Sequence, residues 1–226
     1  MRALPIVCVL LLLIAALPLR ADPTSQEKEW LEHVLLGTNP ASPGVACSRW
    51  TKAPRVSAFG ASKTQVKALE AALEQFDEPL LKTPIGKLQL GKPNDDEAEL
   101  KVHFAPEKEF PNLAKKYDFR FEKGNNRTYV WVWWNANREL TKAVALVPAA
   151  AKGDELTRLA LRELARALGL IGESPEFADS VFFRKDQLAT VSTSLSRRDK
   201  KLIVFLYNKV APGDKLPAVQ ALYKSW

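Results

Sequence analysis

Seven consecutive residues, Thr128 to Trp134 (TYVWVWW), carry side chains that suit a pleated sheet far better than a helix. β-Branched and aromatic groups lose rotamer freedom against a helical turn, whereas across strands they pack on their neighbours. Alternate residues of a strand share a face, so Tyr129, Trp131 and Trp133 fall on one side and Val130, Val132 and Trp134 on the other. A turn at Asn135 to Asn137 and the apolar run Leu140 to Val147 predict the second arm of an antiparallel hairpin. One face of that hairpin must be core. The other is a candidate platform for a ligand, or a rail on which an extended peptide pairs.

The other elements follow from hydrophobic period. Arg55 to Phe59 reads as a strand, Ser62 as a helix cap, and Lys63 to Phe76 as a helix with Val66, Leu69, Leu73 and Phe76 on one face. Lys87 to Leu90 and Glu99 to Phe104 alternate as strands, and the charged stretch after them, containing Pro106 and Pro111, reads as a loop. Asp154 to Leu168 is the clearest helix, with Gly169 placed to close it. Ser196 to Asn208 predicts a last amphipathic helix. Strands bracketed by helices mean an α+β fold: a mixed, twisted sheet of about five strands packed on two long helices, with a helix at the carboxyl end.

The amino end has a different logic. Arg2, the apolar run Leu4 to Leu17 and the small residue Ala21 before a polar stretch predict a secretory signal peptide over 1–21, cut after Ala21. About fourteen apolar residues make only ~21 Å of helix, short of the ~30 Å hydrocarbon core, so no membrane span is expected after cleavage. The expected compartment is the periplasm or the exterior. Cys8 leaves with the signal, and Cys47 alone remains, so no internal disulfide can form. Residues 22–48 read as a lead-in arm with a short helix over Gln26 to Leu36, and 49–226 as the domain. Loss of Arg2 and Arg20 lowers the formal net charge from +7 to +5. The basic residues are spread along the chain rather than gathered with aromatics, which argues against nucleic acid as a partner.

The helix at 154–168 carries a second pattern. Arg162-Glu163-Leu164-Ala165-Arg166-Ala167-Leu168-Gly169-Leu170-Ile171-Gly172 keeps the spacing of H-E-x-x-H-x-x-G-x-x-H, with Arg162, Arg166 and Gly172 at the histidine positions and only Glu163 and Gly169 retained. Ser180-Val181-Phe182 looks like the Ser-Val-Met of a methionine turn, with Phe182 in place of methionine. On these residues, and on the order of strand, helix and strands, the chain resembles a degenerate matrixin-type metzincin. It is also similar to the exported bacterial domains catalogued as domain of unknown function 2927. The resemblance implies a zincin fold with the aromatic strand at the edge of a cleft, and a vestigial cleft formed by Arg162, Glu163, Arg166, Gly169, Gly172, Ser180 and Phe182.

Counting ligands bears on the metal. The chain has two histidines, His33 and His103, neither in the frame of the helix, and a protonated guanidinium cannot bind zinc. No metal and no cofactor are expected, and neither a G-x-S-x-G elbow nor a cysteine dyad supports another hydrolase chemistry. Arg158, Arg162 and Arg166 recur at i, i+4 and i+8. They form a solvated basic stripe partnered by Glu155 and Glu163, or two groups that receive a carboxylate or phosphate, or an internal ion-pair cluster with Glu163, Asp179 or Asp199 in place of the metal. The leading functional expectation is a non-catalytic secreted or periplasmic domain that binds a peptide, protein or envelope component. An active hydrolase using Glu163 and a structural envelope protein are the alternatives.

Overall fold

A computed structural model describes residues 23–37, 39–121, 128–185, 188–189 and 192–226. The predicted signal peptide over 1–21 lies outside the described residues. The first element, α1 (Ser25–Leu36), starts at a capping box in which the Thr24 hydroxyl accepts from the Glu27 amide and the Glu27 carboxylate accepts from the Thr24 amide. Its apolar stripe, Trp30, Leu31, Val34 and Leu35, is buried in the main core. Within the predicted lead-in arm, α1 and Cys47 thus pack in the same core as the strands and helices that follow.

Strand β1 (Arg55–Phe59) leads through a second capping box, Ser62 with Gln65, into α2 (Lys63–Leu80), one turn longer than its apolar period predicts. Strand β2 (Gln89–Leu90) is only two residues long, and β3 (Leu100–Ala105) follows. The expected loop after β3 is instead a short 3-10 turn and a helix, α3 (Phe110–Tyr117). Pro111 sits at the first positions of α3, where an amide hydrogen has no intrahelical partner to lose, so it starts the helix rather than breaking it. Then come β4 (Tyr129–Trp134), β5 (Leu140–Pro148) and α4 (Gly153–Ala167). Two-residue strands β6 (Arg184–Lys185) and β7 (Leu188–Ala189) precede α5 (Arg197–Lys209), capped by Ser196 and Asp199, and a short α6 (Leu216–Ala221).

The sheet order is β2-β1-β3-β5-β4, parallel except for β4, which runs antiparallel to β5 at the edge. The predicted α+β class and five-stranded mixed sheet are present. β5 shows how the two faces divide. Ala143, Ala145 and Val147 join the main core with α2, α4 and α5, whereas Val144 and Leu146 meet Phe110, Ala114, Tyr117 and Phe119 in a second cluster under α3.

Opposed residues on adjacent strands share a face. Val130 and Val132 stand opposite Ala145 and Ala143, hence on the side of α4, while Tyr129, Trp131 and Trp133 stand opposite Leu146, Val144 and Lys142 on the side of α3. The register shifts between Trp133 and Trp134, which pairs with Leu140 as the hairpin turns. None of the described helices is long and apolar enough to cross a membrane.

Candidate functional site

Helix α4 buries Leu161, Leu164 and Leu168 completely, as its period predicts. The residues beside that stripe, Arg162, Glu163 and Arg166, turn toward the start of β4 and are not a solvated stripe: Glu163 is fully buried and Arg162 is 8% exposed. Glu163 Oε1 accepts from the Thr128 hydroxyl at 2.7 Å and from Arg162 Nε at 2.9 Å, and its Oε2 accepts from Arg166 Nη1 at 3.0 Å. Arg162 continues outward, donating from Nη2 to Thr128 at 2.8 Å and from Nη1 to Glu173 at 3.3 Å, and Arg184 closes the chain of charges on Glu173 at 2.9 Å.

A carboxylate so deeply buried is tolerable only if paired and hydrogen-bonded. Burial pushes the Glu163 carboxyl up, but the Arg166 and Arg162 charges and the Thr128 and Arg162 hydrogen bonds more than reverse this and hold it below the ordinary carboxylate range. It is an ionised group with both oxygens engaged. Among the three cluster arrangements open in the sequence, this is the internal ion-pair cluster, with Glu173 and Thr128 as the partners that sequence spacing did not single out. Asp179 and Asp199 lie elsewhere. Asp179 pairs with Arg198 at 3.6 Å.

Asp199 belongs to a layer that includes Ser180. The Ser180 hydroxyl donates to Asp199 Oδ1 at 2.6 Å, and the amides of Val181 and Ser196 donate to Oδ2. Ser180 is fully buried and Phe182 is buried in the main core, so both hold the turn that follows α4 rather than lining a cleft. Burial dominates at Asp199 and raises its pKa despite these donors.

The two glycines of the frame hold the backbone close to neighbouring segments. A Cβ on Gly169, whose φ is +102°, would stand 2.2 Å from the Ser48 carbonyl oxygen, and one on Gly172 only 1.7 Å from that of His33. The Gly172 amide donates to the Val34 carbonyl at 3.0 Å. α1 thus occupies the room that a third ligand side chain at position 172 would need. Just before Gly169, the end of α4 is bonded from outside: Trp50 Nε1 donates to the Ala167 carbonyl at 2.9 Å and the Tyr207 hydroxyl to that of Leu168 at 2.7 Å.

These residues do not fit a zinc ion. Two guanidinium groups and a glycine without side-chain space stand at the frame's ligand positions, and the described residues contain no group of three or more His, Cys, Asp or Glu placed to hold a metal. Of the two histidines, His103 is buried against the Phe59 ring at 4.6 Å and bonded to the Tyr117 hydroxyl at 2.8 Å, and His33 is on α1.

The rings of the expected aromatic platform, Tyr129, Trp131 and Trp133, are partly covered by neighbouring aromatics. Phe121 lies 4.7 Å from Tyr129 and Phe119 stacks on Trp131 at 5.4 Å and 13°, leaving Trp131 40% exposed. These three rings face α3 and not the frame helix. The side of β4 that fronts α4 is open at one end, where a pocket of about 420 Å³ lies between Val132 and Trp134 of β4, Arg138 and Leu140 of the hairpin, Ile171 beyond α4, and the segment 43–48. The sequon Asn126-Arg127-Thr128 lies largely outside the described residues.

The family described as "Protein of unknown function (DUF2927)" matches residues 29–224. Among curated proteins, none matches the chain. Two solved structures of myroilysin are similar at 11% identity and a TM-score of 0.43; one covers 72% of this chain and 96% of its own, the other 84% and 98%.

Proposed function

The chain belongs to the family "Protein of unknown function (DUF2927)", and from that premise we propose that it is a non-catalytic, exported, metzincin-like domain that binds a peptide or envelope component in the remnant of a protease cleft. The observation that carries this reading is the state of Glu163. In the H-E-x-x-H frame that glutamate takes a proton from a metal-bound water. Here both its oxygens are engaged by Thr128, Arg162 and Arg166, it has no exposure to water, and its charge is already neutralised. A group in that state serves as a structural anion.

What stays open is the neighbouring pocket between the edge strand β4 and the end of α4. Export rests on the amino-terminal pattern of Arg2, the apolar run and Ala21. Elemental analysis of the purified chain together with a peptide-cleavage assay tests the reading. The expected result is no stoichiometric zinc and no cleavage. Stoichiometric zinc, or cleavage abolished by Glu163→Ala, overturns it in favour of a hydrolase.

A further inference from the structure

The pocket beside β4 has an uneven chemistry. Among the described residues its lining is mainly apolar, with Ser48 its one uncharged polar side chain, no carboxylate, and Arg138 its one charged residue. Of the four large apolar side chains left exposed among the described residues, two, Trp134 and Ile171, stand on it. Its volume of about 420 Å³ falls in the ~300–1,000 Å³ range of ligand pockets.

Arg138 is held in place. Its backbone sits in the left-handed region at φ +62°, fixed by a turn in which the Arg138 amide donates to the Asn135 carbonyl and the Asn137 and Glu139 amides to Asn135 Oδ1. The guanidinium lies 4.8 Å from the Trp134 ring and donates from Nη2 to the Gly44 carbonyl at 2.8 Å. That bond ties the hairpin turn to the segment 43–48 across one side of the pocket. Among the described residues no carboxylate pairs with Arg138, so Nε and Nη1 keep donors to spend on an outside acceptor.

We propose that this pocket receives the carboxyl terminus of a partner polypeptide: a bulky apolar last side chain between Val132, Trp134, Leu140 and Ile171, and its terminal carboxylate on Arg138. The inference rests on the peptide-binding reading above and narrows it. Charge complementarity selects an anion for the one cation on a mainly apolar site, and a carboxylate matches the fork of a guanidinium. The tie between Arg138 and Gly44 selects a chain end, because a polypeptide running past the pocket on that side would have to cross it. Capture of a terminal carboxylate is a known way of reading short peptides.

The test is titration of the full chain with a fluorescent hexapeptide ending in phenylalanine, compared as free acid and as terminal amide, and with the same peptide ending in serine. The free acid should bind at least tenfold more tightly than the amide and than the serine peptide. Arg138→Gln should erase the preference for acid over amide, and Ile171→Asp should weaken every peptide. Equal binding of acid and amide, still lost in Ile171→Asp, overturns the carboxylate assignment and leaves the cleft reading standing. Binding of no peptide overturns the carboxylate assignment and the peptide form of the reading on which it rests. The acid-to-amide comparison is made on the unaltered protein, so it does not depend on how well the variants fold.

Discussion

At the scale of single residues, the positions of the 162–172 frame have structural roles that can be measured. Gly172 has no room for a Cβ, which would lie 1.7 Å from the His33 carbonyl oxygen, so Gly172→Ala must push α1 away from the end of the frame. Forced overpacking against backbone of this kind should lower stability by about 1–3 kcal/mol, read from urea unfolding. An unchanged midpoint would show that α1 yields freely. His103 sets a pH dependence. Burial, then the charges of Lys116 and Lys101, lower its pKa from 6.5 to about 4, opposed weakly by Asp96.

The folded chain therefore holds fewer protons at this site than the unfolded chain between pH 6.5 and about 4. Stability from a neutral His103 is complete above about 6.5 and is lost as the pH falls through that window, by roughly 3 kcal/mol in all. His103→Gln should flatten that part of the profile relative to the parent. Parallel profiles would refute the assignment. Little of this was legible in the sequence: His103 falls on the predicted strand Glu99 to Phe104 among apolar neighbours, but Tyr117, its hydrogen-bond partner, comes from a helix that the prolines concealed.

At the scale of elements, α4 was readable almost to the residue because its inner stripe, Leu161, Leu164 and Leu168, follows the helical period and Gly169 ends it. Its arginines were equally visible, yet their fate was not. Thr128 and Glu173 come from before β4 and after the frame, and only the fold brings them to Arg162. α3 was missed because Pro106 and Pro111 read as loop formers, although proline at the start of a helix costs no hydrogen bond. The aromatic strand was recognised, but the face presented to α4 was not, since that depends on which helix covers each side. The bond from Tyr207 to the Leu168 carbonyl fastens α5 to the end of α4. Tyr207→Phe leaves that buried carbonyl without this donor and should cost about 1–3 kcal/mol with an unchanged urea m-value. No loss at all would mean the end of α4 is secured without it.

At the scale of the whole molecule, the order of strands and helices followed from period and turn residues, and the five-stranded mixed sheet emerged as expected. The seat of α1 did not: its stripe is short, and nothing local announces that Trp30, Leu31 and Val34 pack in the main core while the His33 carbonyl closes over Gly172. The protein that results has an ionic plug at the centre of the frame helix and an open pocket at the end of the edge strand. The plug is the central claim, and its energetics test it most directly. Removing the cations leaves Glu163 buried as an uncompensated charge, which is severe, typically about 3–5 kcal/mol, whereas removing the charge with its partners is far milder. The measurement is urea unfolding at neutral pH of the parent, of Arg162→Met with Arg166→Met, and of that pair combined with Glu163→Gln. The account predicts a loss of at least about 3 kcal/mol in the double variant, with a substantial part recovered in the triple variant. A double variant as stable as the parent would contradict it.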